Sequence, residues 1–220
     1  MAVTLAEEIM LLSLDDESGA KEQRDAAGWA VAGGILLELV LAGRVSVEGR
    51  NLALADATPT GEPLLDLRLA LLESWLGGHE KRRVKDWLTK DRSPAVDAAV
   101  ERLCERGVVV ERRQKWLGLF PVRRYPEADG AAEAELRQRL RDAVLDGADP
   151  DERTAGLVAL VHAAKLHGLA FPGVPRKRVA DRMAAIAAGQ WAGESVRAAI
   201  RDMEAVIVAV TMTTVITATT

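Results

Sequence analysis

The stretch Ala26-Ala-Gly-Trp-Ala-Val-Ala-Gly-Gly-Ile-Leu-Leu-Glu-Leu-Val-Leu41 decides the fold. Its apolar residues fall on every side of a helix, with Glu38 the single acid. A helix apolar all round belongs in the middle of a protein, so this segment reads as a buried central helix. Gly33 and Gly34 lie inside it and lower its helix propensity by about 1 kcal/mol each. Glycine at such places usually admits close approach of another backbone or of a ligand. Gly43 ends the segment.

Upstream, Thr4 followed by Glu7 is a capping box, and Leu5, Ile9, Leu12 and Leu14 give a short apolar stripe that a turn over Asp15 to Gly19 closes. Downstream, Val45 and Val47, then Leu52 and Leu54, alternate on either side of Gly49 and predict a small hairpin. A loop follows at Thr58-Pro-Thr-Gly61. Helices are expected at 64–76, 80–89 and 94–106, the last with Ser93 as cap, Pro94 at its first position and Gly107 as its stop. Val108 to Glu111 and Trp116 to Phe120 read as a second hairpin around Arg112 to Lys115. Helices at about 131–146, 151–168, 175–189 and 193–217 complete the chain, with Asp149 and Asp151 before the second of these as N-terminal acids. The last helix carries beta-branched residues that predict fraying beyond about Thr214. Two short hairpins cannot supply a core, so the expectation is an all-α, mainly helical single domain over residues 1–220, with amphipathic helices around the central one.

With 220 residues the chain buries about 70% of its unfolded surface and needs no staple. A single cysteine, Cys104, excludes an intrachain disulfide and any multi-cysteine metal site. It lies on an apolar helix side, as a structural thiol does. His162 and His167 are five apart and fall on different helix faces, His79 stands alone, and no HExxH spacing occurs. The glycines lack a strand leading into GxGxxG order, and Gly77 to Lys81 lacks a phosphate-loop ending. No nucleophile, metal set or oriented acid–base pair emerges. The reading is therefore a protein that is not an enzyme and uses no cofactor or metal.

Charge is uneven: residues 1–110 carry 13 basic and 19 acidic groups, residues 111–220 carry 16 and 14. The total of -4 argues against a nucleic-acid coat, and the basic clusters lack a series of aromatic rings for stacking bases. No nucleic acid is expected. Arg112, Arg113 and Lys115 precede Trp116, Leu117, Leu119 and Phe120, and Arg123 and Arg124 follow. A tryptophan amid cations suits an interfacial membrane contact, the ring at headgroup level and the cations facing anionic lipid. The same apolar side chains equally suit burial against the helices or against a second subunit. Glu7 and Glu8 interrupt the first apolar stretch, so no signal segment is expected. The uncharged 205–220 tail is too short and too rich in threonine to span a bilayer, so no transmembrane segment is expected either. The protein is expected in the cytoplasm.

Several blocks together resemble the Golgi phosphoprotein family, the phosphatidylinositol 4-phosphate effectors of the eukaryotic Golgi and their bacterial relatives. They are Thr-Leu-Ala-Glu-Glu-Ile-Met-Leu-Leu-Ser-Leu-Asp-Asp at 4–16, Gly-Gly-Ile-Leu-Leu-Glu-Leu-Val-Leu-Ala-Gly-Arg-Val at 33–45 and Asp-Ala-Thr-Pro-Thr-Gly at 56–61. Leu-Cys-Glu-Arg-Gly at 103–107 and Gly-Leu-Phe-Pro-Val-Arg-Arg-Tyr-Pro at 118–126 extend the likeness, the last of them toward the bacterial members. The resemblance implies a helical domain with edge hairpins and a peripheral membrane protein that binds phosphoinositide headgroups through a tryptophan and several arginines. It further implies an apolar hairpin that enters the bilayer or joins subunits into a homo-oligomer.

By the same resemblance the headgroup tryptophan falls near Gln23, one arginine at Ala32 and two near Ser93 and Val96, so all four positions differ here. The nearest substitutes are Trp29 and Arg92, with Arg82 and Arg83 reaching in from the preceding helix. The free amides at the starts of the central helix and of the 94–106 helix are expected to draw an anion between them. The functional expectation is a peripheral module for an anionic lipid headgroup or another phosphate-bearing ligand, on the inner face of the cell membrane. The alternative is an oligomeric scaffold that touches no lipid.

Overall fold

The computed structural model describes residues 3–14, 21–77, 82–116, 120–125, 128, 130–188 and 194–217. The expected turn at Asp15 to Gly19, His79, and Leu117 and Leu119 of the expected second hairpin lie outside them. The described chain is a single mainly helical domain of nine helices and two small antiparallel sheets. In order these are α1 (Leu5–Leu14), α2 (Lys21–Leu41), β1 (Val45–Glu48), β2 (Asn51–Leu54), α3 (Pro63–Leu76), β3 (Arg82–Arg83) and α4 (Val84–Glu105). Then come β4 (Arg112–Trp116), β5 (Phe120–Arg124), α5 (Ala131–Val144), α6 (Glu152–Ala163), α7 (His167–Ala170), α8 (Arg176–Ala188) and α9 (Glu194–Thr217).

Helix α2 is the central helix. It touches α1, α3, α4, α6, α9 and β1, and Ile35, Leu36, Leu37 and Leu39 are fully enclosed. Both inner glycines have a packing reason. A Cβ on Gly34 would come within 3.1 Å of the Ala6 nitrogen, so α1 crosses α2 backbone to backbone there. A Cβ on Gly33 would meet Leu160 of α6 at 2.9 Å. Gly156 returns the favour from α6, where a Cβ would stand 2.4 Å from Leu37 Cδ2.

Helix α1 is buried on nearly every side, not along one stripe alone, and its two glutamates go inside with it: Glu7 is 0% exposed and Glu8 2%. The capping box forms in both directions, Thr4 N donating to Glu7 Oε2 (2.6 Å) and Glu7 N to Thr4 Oγ1 (3.2 Å). Arg106 pairs with Glu7 (3.1 Å), while Arg139 and Arg153 pair with Glu8 (2.7 and 2.6 Å). Glu38 of α2 accepts from Leu5 N (3.0 Å) and from Arg153 Nε (3.2 Å), so the one acid in the apolar part of the central helix caps α1. Burial pushes the Glu38 carboxyl up to about 7, against the pull of Arg153.

The first hairpin forms as expected, with Val45 opposite Leu54 and Val47 opposite Leu52. Its turn has φ of 53° at Gly49 and 71° at Arg50, the paired left-handed residues that suit the twist of a tight hairpin. In the loop that follows, Asp56 accepts from Thr58, and Asp66 accepts from Thr60 and Gly61.

Four expectations change. The helices expected at 80–89 and 94–106 are one 22-residue helix, α4, with Pro94 in its interior and no cap at Ser93. Val84, Trp87, Leu88, Asp91, Ala95, Ala99 and Leu103 form one buried stripe that runs through the proline. Continuous packing overrides a local penalty of about 3 kcal/mol. Before α4, Arg82 and Arg83 are an edge strand paired to β2, not helix. The second hairpin pairs Arg112–Trp116 with Phe120–Arg124, so the basic run lies in the strands and not in the turn. Finally, the helix expected over 151–168 breaks at Ala164–Leu166, where Lys165 takes φ 59° and Leu166 N donates to Val161 O (3.0 Å). That closure usually uses glycine, so the sequence carried no sign of it. Helix α9 ends at Thr217, the bound expected for it.

The break in α6 also corrects the histidines. With His167 at the start of α7 the two rings meet edge to face at 5.2 Å, and His162 Nδ1 lies 3.2 Å from His167 Nε2. Cys104 is half-buried, and burial followed by the nearby Glu111 and Glu101 charges pushes its thiol up, away from reactivity.

Candidate functional site

Trp29 sits in the third turn of α2 and is 7% exposed. Arg92 of α4 lays its guanidinium over the indole, 5.3 Å from the ring centre. This distance is within the range of a cation–π contact. Gly28 faces α4 beside it, where a Cβ would sit at ordinary contact distance from the Arg92 carbonyl (3.5 Å) and Val96 Cγ2 (3.7 Å). The pair therefore follows from α2 and α4 packing side by side. Arg92 is half-buried and makes no ion pair with any described residue, so its N–H donors are stacked on a ring and not held by a carboxylate.

The pocket expected between two helix starts does not form. Residue 94 is mid-helix, so no set of free amides exists there, and α2 begins at Lys21, which puts Asp25 and Trp29 inside the helix. Arg82 and Arg83 do not join Arg92 either. Arg83 immediately precedes α4 and is nine residues from Arg92, about 13 Å along a helix axis. Arg82 instead stacks over Trp75 of α3, 4.7 Å from the ring centre, and Arg83 is exposed.

The hairpin collects positive charge by register. Arg112 stands opposite Arg124 and Arg113 opposite Arg123, so two adjacent rungs hold four arginines; Lys115 faces Pro121 and Trp116 faces Phe120. Like charges on facing positions destabilise a ribbon in isolation. Among the described strands, β4 and β5 pair only with each other.

Two features escaped the sequence reading. Arg68, on the apolar face of α3 between Leu64 and Leu72, is buried and pairs with buried Asp91 of α4 at 2.9 Å. The Asp91 carboxyl is pushed up by burial, with Arg68 opposing. An arginine at an apolar-face position was the available sign. Trp75 and Trp87 pack across the same helix pair, ring centres 5.4 Å apart. Among the described residues no group of three metal-ligating side chains assembles, and no helix is long and apolar enough to cross a membrane.

Comparison with known proteins places the chain. It is 24% identical to "Vacuolar protein sorting-associated protein 74" of Eremothecium gossypii over 163 residues, which are 63% of this chain and 48% of that protein. The chain thus matches about half the length of that relative. The family model described as "Golgi phosphoprotein 3 (GPP34)" matches residues 5–203. That span runs from the first residue of α1 well into α9 and takes in the charged knot, the central helix and both hairpins, so the chain belongs to the GPP34 family.

Proposed function

We propose that the protein is a non-catalytic module that binds anionic lipid headgroups and rests on the inner face of the cell membrane without crossing it. The observation that carries the reading is Arg92, stacked on Trp29 and unpaired with any described carboxylate. Family membership supports it, as do the four arginines on two rungs of the β4–β5 hairpin. Each cation near an anionic surface contributes about 1 kcal/mol, so the hairpin supplies most of the attraction and the Trp29–Arg92 pair a smaller share. Gln23, Ala32, Ser93 and Val96 stand where the resemblance implied headgroup ligands, and Arg82 and Arg83 lie apart from Arg92. Phosphatidylinositol 4-phosphate is therefore bound as one anionic lipid among others.

Vesicle sedimentation tests this. Binding is expected to vesicles containing phosphatidylserine or phosphatidylinositol 4-phosphate and to be near background with phosphatidylcholine alone. Arg112→Ala with Arg113→Ala should lose more binding than Arg92→Ala. Equal background recovery from all three vesicles would overturn the proposal, and a near-total loss from Arg92→Ala with the hairpin variant intact would reverse the ranking of the two sites.

A second reading has its own observation: β4 and β5 leave their outer edges unpaired among the described strands, the geometry by which a second copy adds strands. In that case the hairpin joins subunits of an oligomeric scaffold and touches no lipid. Light scattering on wild type and on Trp116→Ala with Leu119→Ala decides it, an unchanged monomer mass in both rejecting the scaffold.

A further inference from the structure

A groove of about 370 Å³ lies between α3 and α4, on the side of α4 away from the Trp29–Arg92 pair. Arg68, Leu71 and Trp75 line one wall, and Trp87, Lys90 and Asp91 the other. Its size is at the lower end of small-molecule sites, which run from about 300 to 1,000 Å³. We infer that this groove binds a small amphiphilic anion, with an apolar body against Leu71 and Trp75 and an anionic head at Lys90.

The apolar half of the argument is exposure. Leu71 is 44% exposed at the groove, and Leu67, one turn earlier on α3, is 54% exposed. Leu71, next to a tryptophan and a hollow, leaves apolar surface in water that a ligand would cover.

The polar half is charge. Arg68 and Asp91 neutralise one another, and Arg68 is held further by the Pro94 carbonyl. That leaves Lys90, exposed on the wall and in no ion pair with a described residue, while Arg82 is outside the lining and stacks over Trp75. Asp86, one turn before Lys90, and Glu73 on α3 are exposed and form no ion pair with either cation. Among the described residues the enclosed lining donors Trp87 Nε1 and Arg68 Nε have no acceptor, against one unpartnered acceptor, Asp91 Oδ2. Unpartnered donors in a low-dielectric wall keep the local potential positive, which favours an anion over a cation or a neutral molecule.

This inference is independent of the headgroup reading, and the test separates the two. Calorimetric titration of the full chain with decanoate, decanol and decyltrimethylammonium is expected to show decanoate binding below about 1 mM, decanol about tenfold weaker and the cation not at all. Lys90→Glu and Leu71→Glu, both at exposed positions, should each weaken decanoate about tenfold while the circular dichroism spectrum stays unchanged. Arg92→Ala should leave decanoate binding unchanged and lower sedimentation with phosphatidylserine vesicles. To find the source of the anion, oleate is placed in phosphatidylcholine vesicles. Loss of sedimentation in Lys90→Glu places the head in a bilayer, and loss of decanoate binding alone places it on a free amphiphile. Equal affinity for decanoate and decanol, no binding at 1 mM, or full affinity in Lys90→Glu overturns the inference.

Discussion

Arginine does opposite work in two parts of this molecule. Around the start of α1, Arg106, Arg139 and Arg153 each face buried carboxylates, and Arg153 alone holds Glu8 at 2.6 Å, Glu38 at 3.2 Å and the Val3 carbonyl. Elsewhere Arg82 of β3 lies over Trp75 of α3 and Arg92 of α4 over Trp29 of α2, neither with a carboxylate partner among the described residues. The first set is consumed by folding and the second is left able to meet an anion. Counting basic residues cannot separate the two. Pairing can, because a guanidinium already bridged to buried carboxylates has its donors and its charge satisfied.

The largest expected effect comes from breaking the first region. Arg153→Ala leaves Glu8 and Glu38 enclosed without their shared cation, and removing one partner of a buried pair costs about 3 kcal/mol or more. Urea denaturation should show the midpoint falling with an unchanged slope. A loss under about 1 kcal/mol would mean that water already screens the knot. Adding Glu38→Gln should restore part of the loss, since the Glu38 carboxyl already resists ionisation with its pKa near 7.

A middle-sized effect belongs to the histidine pair that joins α6 to α7. Burial, then the nearby Arg176 charge, holds His167 down to about 4, and the same two causes lower His162. Protonating the accepting ring removes the lone pair that closes their 3.2 Å contact. The unfolded chain takes up this proton near 6.5 and the folded chain near 4, so stability present above pH 6.5 is lost as pH falls toward 4. Glu38 acts in the opposite sense over much of the same window. The contribution is therefore read as the difference between wild type and His167→Gln, whose melting temperature should fall less, or rise more, as pH drops from 6.5 to 4. Parallel pH profiles for the two proteins would refute it.

The smallest effect is expected where arginine is free for a ligand. Arg92→Ala removes a half-exposed cation–π contact, worth about 0.5–1 kcal/mol, and should lower the melting temperature by no more than ~4 °C. A loss as large as that of Arg153→Ala would erase the distinction between the two regions.

The blocks that carry the family likeness read differently once folded. Thr4 to Asp16 and Leu103 to Gly107 meet in space: Arg106 pairs with Glu7 of α1 and with Glu62 before α3. Gly33 and Gly34 let α6 and α1 approach the central helix. These residues specify packing and charge pairing inside the domain, so they identify the family without identifying a ligand.

The sequence by itself determined the helical class, the central helix and its glycines, the capping box and the first hairpin, because each rests on a period or on contacts a few residues apart. Tertiary structure alone decided that α4 runs through Pro94, that α6 breaks at a lysine, and that the second hairpin slides its basic residues into the strands. It also decided which arginines meet carboxylates and which meet rings. Those outcomes depend on what lies across the packing surface, as Asp91 lies against Arg68 from 23 residues away and Glu38 against Arg153 from 115. No local pattern along the chain carries the identity of such a partner.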